Sequence, residues 1–408
     1  MERIERDCVI SGGGPAGIMA GYLLARAGLR VTVLEKHADF FRDFRGDTIH
    51  PSTISVLGEL GLRERFLELP LSRISTMDVV IDGHRLTLVD FATLPSPDNF
   101  LVFAPQWDFL DFLATEGARF PGFDLRMETA AEELLTENGV VTGIRARGPD
   151  GLVEVTATLT VAADGRDSLV RDAAGLIPID VGAPIDVLWF SLPMPSPPPP
   201  VTLAYTDSRG IVLTLDRGDH YQGGLVIAKA GFDEVKGRGI ASLRDRVAAI
   251  APPVARVVDT LTSWEQVKVL SVRLNRLDDW HRPGLICIGD AAHAMSPVGG
   301  VGVNYAIQDA VALANALVEP LRRGEAPDTA LASVQARRTP PVLTMQRIQR
   351  LAHARISRPS HSGTRAIPVL ARVAITALRP IVARITARVI GRGFLPEHVS
   401  VSGLADEP

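Results

Sequence analysis

The chain has little cysteine, few aromatic residues, no excess of charge of either sign and no long apolar run. With two cysteines among 408 residues it cannot carry a disulfide framework, and Cys8 and Cys287 sit in short apolar runs that read as buried strands holding reduced thiols. Basic and acidic residues number 43 and 47, a formal charge of −4, so no whole-chain field draws it to nucleic acid. No apolar stretch reaches the roughly 18 residues a membrane span needs. The opening Met1-Glu2-Arg3-Ile4-Glu5-Arg6 has no apolar core of a secretory signal, so the expected location is cytoplasmic. Aromatics make up 5%, so a pocket lined by rings must draw on few candidates.

Glycine, at 36 residues, and proline, at 29, are plentiful, and their placement carries the information. Cys8-Val9-Ile10 is an apolar run ending at Ser11, followed by Gly12-Gly13-Gly14-Pro15-Ala16-Gly17 and an amphipathic stretch to Ala27, with Gly28 as a helix stop. Val31-Thr32-Val33-Leu34 then reads as a second strand ending on Glu35 and Lys36. This is a βαβ unit with a dinucleotide fingerprint: Gly12 for the tight turn, Gly14 for close approach to a pyrophosphate, Gly17 for helix-on-strand packing, and helix N–H groups for the anion. Glu35 would accept hydrogen bonds from an adenosine ribose. An acid there suits the free 2′-hydroxyl of FAD or NAD over the 2′-phosphate of NADP.

Two later segments repeat the pattern of a strand ending in an acid. Leu159 to Ala163 leads into Asp164-Gly165-Arg166-Asp167-Ser168, and Gly284 to Ile288 leads into Gly289-Asp290-Ala291-Ala292-His293, then Pro297-Val298-Gly299-Gly300-Val301-Gly302-Val303-Asn304. An isolated Asp-Gly would be read as a cap on the next helix. With the N-terminal unit, the three segments resemble the FAD-dependent aromatic hydroxylases, class A flavoprotein monooxygenases of the para-hydroxybenzoate hydroxylase type, over residues 7 to 345.

The resemblance implies an α/β fold: a Rossmann-like FAD-binding domain, an inserted mixed β-sheet substrate domain and C-terminal helices. It implies residues 1–70, 101–180 and 271–345 in the FAD-binding part, 71–100 and 181–270 in the substrate part, and 346–408 in a C-terminal helical region. Carried over by residue, it assigns Gly12, Gly14, Pro15, Ala16, Gly17, Glu35 and Lys36 to the adenosine diphosphate. Arg45, Gln106, Asp164, Arg166 and Asp290 go to phosphate, ribityl chain or flavin. Gly300, Val301, Gly302, Val303 and Asn304 go to the flavin edge. Arg45, Pro297, Gly299 and Gly300 are the flavin-orienting catalytic set, with no side-chain nucleophile. Val301 stands where many members have Gln, so only the backbone role carries over. His50 and His293 read as structural.

The implied reaction uses FAD, transient NAD(P)H and O2 to hydroxylate an aromatic or lipophilic small molecule through a flavin C4a-hydroperoxide. The protein then need supply only orientation, dryness and electrostatics. No zinc cluster, G-x-S-x-G elbow or Walker loop competes with this reading. The halogenase W-x-W-x-I-P signature is absent. A reductase of an isoprenoid-like substrate and a flavin-bearing sequestering protein are the alternatives.

A hairpin is expected around Asp82-Gly83 and a three-strand meander over 201–228 after the stiff Pro193–Pro200 run, with Trp189, Phe190, Tyr205 and Tyr221 as pocket candidates. After Ile348 the chain has no acid until Glu397. There Ile381, Val382, Ile385 and Val389 share a helical face flanked by Arg384 and Arg388. The first expectation is that this face packs on the FAD-binding part. The sharper one is peripheral contact with an anionic membrane.

Overall fold

Cys8, Val9 and Ile10 are fully buried because the strand they sit in, Glu2–Ser11, lies between two parallel neighbours and is covered on both faces. The computed structural model describes residues 1–41, 48–199, 202–217, 220–356, 380–401 and 404–405. Its first sheet runs His281–Arg282, Leu285–Cys287, Gly151–Ala162, Glu2–Ser11, Val31–Leu34, Phe123–Arg126. The last five are mutually parallel. Ser11, Leu34, Ala162 and Cys287 therefore end at one edge, where open α/β sheets bind ligands. Both thiols are free and buried, and burial pushes their pKa values up.

The second sheet has the order Lys268–Ser271, Ile185–Pro193, His220–Ala228, Gly210–Asp216, Ala204–Asp207, Thr76–Ile81, His84–Asp90. It is antiparallel except where Ala204–Asp207 meets Thr76–Ile81. The turn between its last two strands has Asp82 and Gly83 at φ +48° and +79°, as a tight hairpin requires.

Alternation along each strand sorts the aromatic candidates. Phe190, Tyr205 and Tyr221 lie in the core with Leu243, Val247 and Ile250 of helix Ile240–Ile250. Trp189 is on the opposite face with Val187, Leu213, Leu215 and Val226. It lies over Gly224, where a Cβ would come within 2.7 Å of the ring. Leu215 also packs into the cluster of Leu101 and Phe103, so this face is turned toward strand Leu101–Phe103.

The C-terminal helix reverses the packing expected of it. Across 380–387, Ala383 and Ala387 face inward, while Ile381, Val382 and Ile385 are 57%, 47% and 57% exposed. Close approach selects the small residues. At Gly391, a Cβ would meet Leu94, Phe91 and Pro51 at 3.0 to 3.1 Å, too tight for a branched face at the interface. Val389 alone of the expected face packs against the first core. The similar stretch 369–378 lies outside the described residues.

No helix among the described residues is long and apolar enough to cross a membrane.

Candidate functional site

The loop after the first strand is shaped by glycine at each contact. Gly12 has φ +104°, and a Cβ on it would lie 2.4 Å from the Ala163 carbonyl oxygen. A Cβ on Gly17 would lie 1.9 Å from the Gly12 oxygen, so helix Pro15–Arg26 starts directly against the turn. Gly14 has nothing within 4 Å of where its Cβ would be. Pro15 occupies the first turn, Ala16 is buried beneath it, and no side chain caps the helix. Its first N–H groups thus open onto free space, which fits a pyrophosphate. Glu35 Oε2 accepts from the Gly13 N–H at 2.9 Å and its Oε1 accepts from His37 N–H at 3.0 Å, fixing the carboxylate at the loop. Lys36 beside it is exposed.

The two later acids arrive at the same edge and behave differently. Asp164 accepts from the Ser168 hydroxyl and, at 3.2 Å, from Val170 N–H, while Ser168 Oγ accepts from Arg171 N–H at 3.0 Å. This carboxylate, expected to face the cofactor, supports the start of helix Leu169–Ala173, whose N-cap is Ser168, because the chain turns into that helix within four residues. Burial pushes its pKa up against those hydrogen bonds. Asp290 stays at the edge, where Arg166 Nε donates to it at 3.0 Å with both side chains about one-third exposed. The structure thus brings Arg166 and Asp290 together. Gln106 begins helix Gln106–Gly117, and Arg45 lies outside the described residues.

Gly299 and Gly300 take φ +87° and +63°. A Cβ on Gly300 would lie 2.4 Å from Thr48 Oγ1, whose hydroxyl donates to the Gly300 carbonyl at 2.9 Å. Helix Gly302–Arg322 then begins with no side-chain cap, so its first amides, at Gly302 and Val303, are free for an anionic partner. The Val301 side chain is 1% exposed, which turns the position where relatives carry Gln into core.

Asn304, expected at the flavin, points inward. Its Oδ1 accepts from His50 N–H at 2.9 Å and from the Thr53 hydroxyl at 2.7 Å, and its Nδ2 donates to the Thr48 carbonyl at 3.2 Å. His50 is fully buried, with Nδ1 donating to the Ile390 carbonyl at 2.7 Å.

Burial pushes the His50 pKa down to about 4, against opposing hydrogen bonds from backbone carbonyls. The unfolded chain takes up a proton near pH 6.5 and the folded chain only near 4, so this contribution is whole above about 6.5 and is lost as pH falls through that window, roughly 3 kcal/mol in all. The His50→Asn variant, which keeps an amide donor where Nδ1 stands, is expected to lose that share of the pH dependence in urea melts.

Two groups of site residues escaped the sequence reading. Asp309, at 0% exposed, accepts from Arg338 Nε at 2.9 Å, from Gly289 N–H at 3.0 Å, and lies 2.6 Å from His293 Nε2. Arg338 also reaches Glu397 at 3.5 Å, and Arg337 bonds Glu397 at 2.6 Å. Gln346, Gln349 and His353 are buried behind the Pro297 loop. Asp309, Arg338, Gln346, Gln349 and His353 are buried polar residues on helices, which a search for hydrophobic periodicity passes over.

The chain matches the FAD binding domain family over residues 5–348. It is 35% identical to 6-methylpretetramide 4-monooxygenase of Streptomyces rimosus over 347 residues, 84% of this chain and 82% of that one. Its fold is similar to p-nitrophenol 4-monooxygenase of Pseudomonas putida DLL-E4, with TM-score 0.77, 21% identity and coverage of 96% and 97%. It is similar also to the FAD-dependent chondrochloren halogenase of a myxobacterium, with TM-score 0.77, 19% identity and coverage of 98% and 96%. At those identities the two structures speak for the fold alone.

Proposed function

The chain belongs to the class A FAD-dependent aromatic monooxygenases of the para-hydroxybenzoate hydroxylase type, and from that premise we propose that it hydroxylates a flat, polycyclic phenolic molecule of the size of a tetracyclic polyketide. It is an FAD-dependent monooxygenase with NAD(P)H as electron donor and an aromatic or polycyclic substrate. The finer reading rests on the apolar sheet face of Trp189, Leu213, Leu215 and Val226, and on the relative that acts on 6-methylpretetramide. A largely apolar face, with the Trp189 ring lying close over Gly224, suits a fused-ring substrate.

In this reading the residues present fit FAD. The open amides after Gly14 take the pyrophosphate, Glu35 the adenosine ribose, Asp290 the ribityl hydroxyls, and the Gly300–Val303 backbone the flavin edge. FAD, when bound, supplies O2 activation and oxygen transfer. The protein's part is to orient both rings, keep water out, and set the positive end of helix Gly302–Arg322 against negative charge on the reduced ring. Purified protein is expected to be yellow, and tetracyclic phenols should accelerate NAD(P)H oxidation with one atom of labelled O2 in the product. Reductant consumption without O2 would instead mark a reductase, and stoichiometric binding without turnover a sequestering protein. A cytoplasmic setting, where NAD(P)H is supplied, fits this use.

The outward face of Ile381, Val382 and Ile385 beside Arg384 and Arg388 favours peripheral contact with an anionic membrane. Co-sedimentation with phosphatidylserine vesicles is expected, lost in the Ile381→Ser/Ile385→Ser variant and in high salt. Equal recovery with neutral vesicles would count against it.

A further inference from the structure

Helix Asp328–Ile356 runs behind the Pro297 loop, and three of its polar side chains, Gln346, Gln349 and His353, are each 1% exposed. Spacings of three and four place them one above another on a single helix face. Buried amide and imidazole groups call for hydrogen-bond partners, and the two amides and His353 Nε2 have them, while His353 Nδ1 has none among the described residues.

Their partners are the backbone of the loop. Gln349 Oε1 accepts from Ser296 N–H at 3.1 Å, and its Nε2 donates to the carbonyls of Ser296 and Val298, each at 3.0 Å. One side-chain amide thus grips the chain on both sides of Pro297, a residue with no N–H of its own. His353 Nε2 lies 2.8 Å from Ser296 Oγ, which accepts from Val298 N–H at 3.2 Å. Gln346 Nε2 donates to the Asn275 carbonyl at 2.8 Å, and Asn275 Oδ1 accepts from Ala294 N–H at 3.2 Å, two residues before Ser296. Pro297 in turn accepts from Gly300 N–H at 3.0 Å, so its position is passed to the left-handed Gly299-Gly300 turn and to the helix start beyond. No strand ladder holds residues 296–300, and side chains do the work a ladder would otherwise do.

We propose that Gln349 and His353 are positioning residues for the flavin, holding the Pro297 turn so that the Gly300–Val303 amides meet the ring edge. Both lie beyond residue 348, where the family match ends. The inference rests on the reading of this loop as the flavin loop. Neither side chain touches the reacting atoms. Burial lowers the His353 pKa, which keeps the imidazole neutral beside Ser296.

The test compares the wild-type protein with Gln349→Leu, His353→Phe and His353→Gln by FAD fluorescence titration, by the visible absorption bands of the bound flavin and by melting of the apoprotein. Gln349→Leu and His353→Phe are expected to bind FAD at least tenfold more weakly with displaced bands. His353→Gln, which keeps a hydrogen-bonding group at the Nε2 position, should return to within about threefold of wild type. If Gln349→Leu does not fold, Gln349→Glu replaces it. That variant keeps the acceptor for Ser296 N–H, sets a carboxylate oxygen against two carbonyls, and should show the same loss. Wild-type protein that takes up no FAD would remove the flavin reading itself. Wild-type protein that binds FAD while Gln349→Leu and His353→Phe match it in affinity and spectrum would overturn this inference alone. Failure of His353→Gln to recover would remove His353 from it.

Discussion

Gly14→Ala is expected to fold with wild-type stability and to lose at least a hundredfold in FAD affinity, whereas Gly17→Ala should lose both. The difference lies in what each new methyl group meets. At Gly14 the added Cβ has no atom of the described residues within 4 Å, and the residue has φ −74°, open to any amino acid. The methyl group projects into the space proposed for the pyrophosphate, so only the ligand feels it. A hundredfold loss corresponds to about 2.7 kcal/mol.

At Gly17 the Cβ would lie 1.9 Å from the Gly12 carbonyl oxygen and 3.3 Å from Ala163 Cβ. A backbone carbonyl in a tight turn cannot rotate aside, so the helix must lift from the sheet. Overpacking of this kind costs roughly 1–3 kcal/mol or more, and it tilts the helix start away from the phosphate site. Paired urea melts and FAD titrations separate the two outcomes. A Gly14→Ala protein that binds FAD as tightly as wild type would show that no ligand group approaches this turn.

The second large effect is expected at Arg338→Met, with a loss of about 3–5 kcal/mol in unfolding free energy. Arg338 is 1% exposed and is held between Asp309 and Glu397, themselves 0% and 2% exposed. Removing the guanidinium leaves Asp309 a buried carboxylate facing only His293 and the Gly289 N–H. Although burial raises the Asp309 pKa, the charges and hydrogen bonds of His293 and Arg338 outweigh it and hold it below the ordinary value.

Because Asp309 also fixes the Gly289 amide next to Asp290, the damage should extend to cofactor affinity. Removing both charges, in Arg338→Met/Asp309→Leu, should recover part of the stability but not the FAD affinity. A double-mutant cycle in urea reads the coupling. Near-additive losses would show that the pair is not a unit.

Glycine spacing and apolar runs made the first βαβ unit and the two later strand-to-acid segments legible, and the structure brings their strand ends to one sheet edge. Strand runs such as Val31–Leu34 and Leu285–Cys287 are buried on both sides, so composition alone marks them. Two side chains assigned to the cofactor have internal partners instead of open ones, for one reason. Asp164 and Asn304 carry groups that suit a cofactor equally well and a neighbouring backbone equally well, and only the path of the chain decides between them. The same holds for the aromatic residues of the second sheet, where a half-turn of strand separates Trp189 from Phe190.

The scarcity of charge bias and cysteine excluded partners and named none. The glycines at 12, 14 and 17 by themselves marked the turn at which a dinucleotide is proposed to bind, because absent side chains leave a position that only backbone can fill. The tertiary structure alone decided how the Pro297 loop is held and which face of the C-terminal helix is exposed. Gln349 and His353 meet Ser296 across more than 50 residues of chain, and Ala383 and Ala387 win the interface because they allow close approach. Both depend on contacts distant in sequence, where local pattern carries no information.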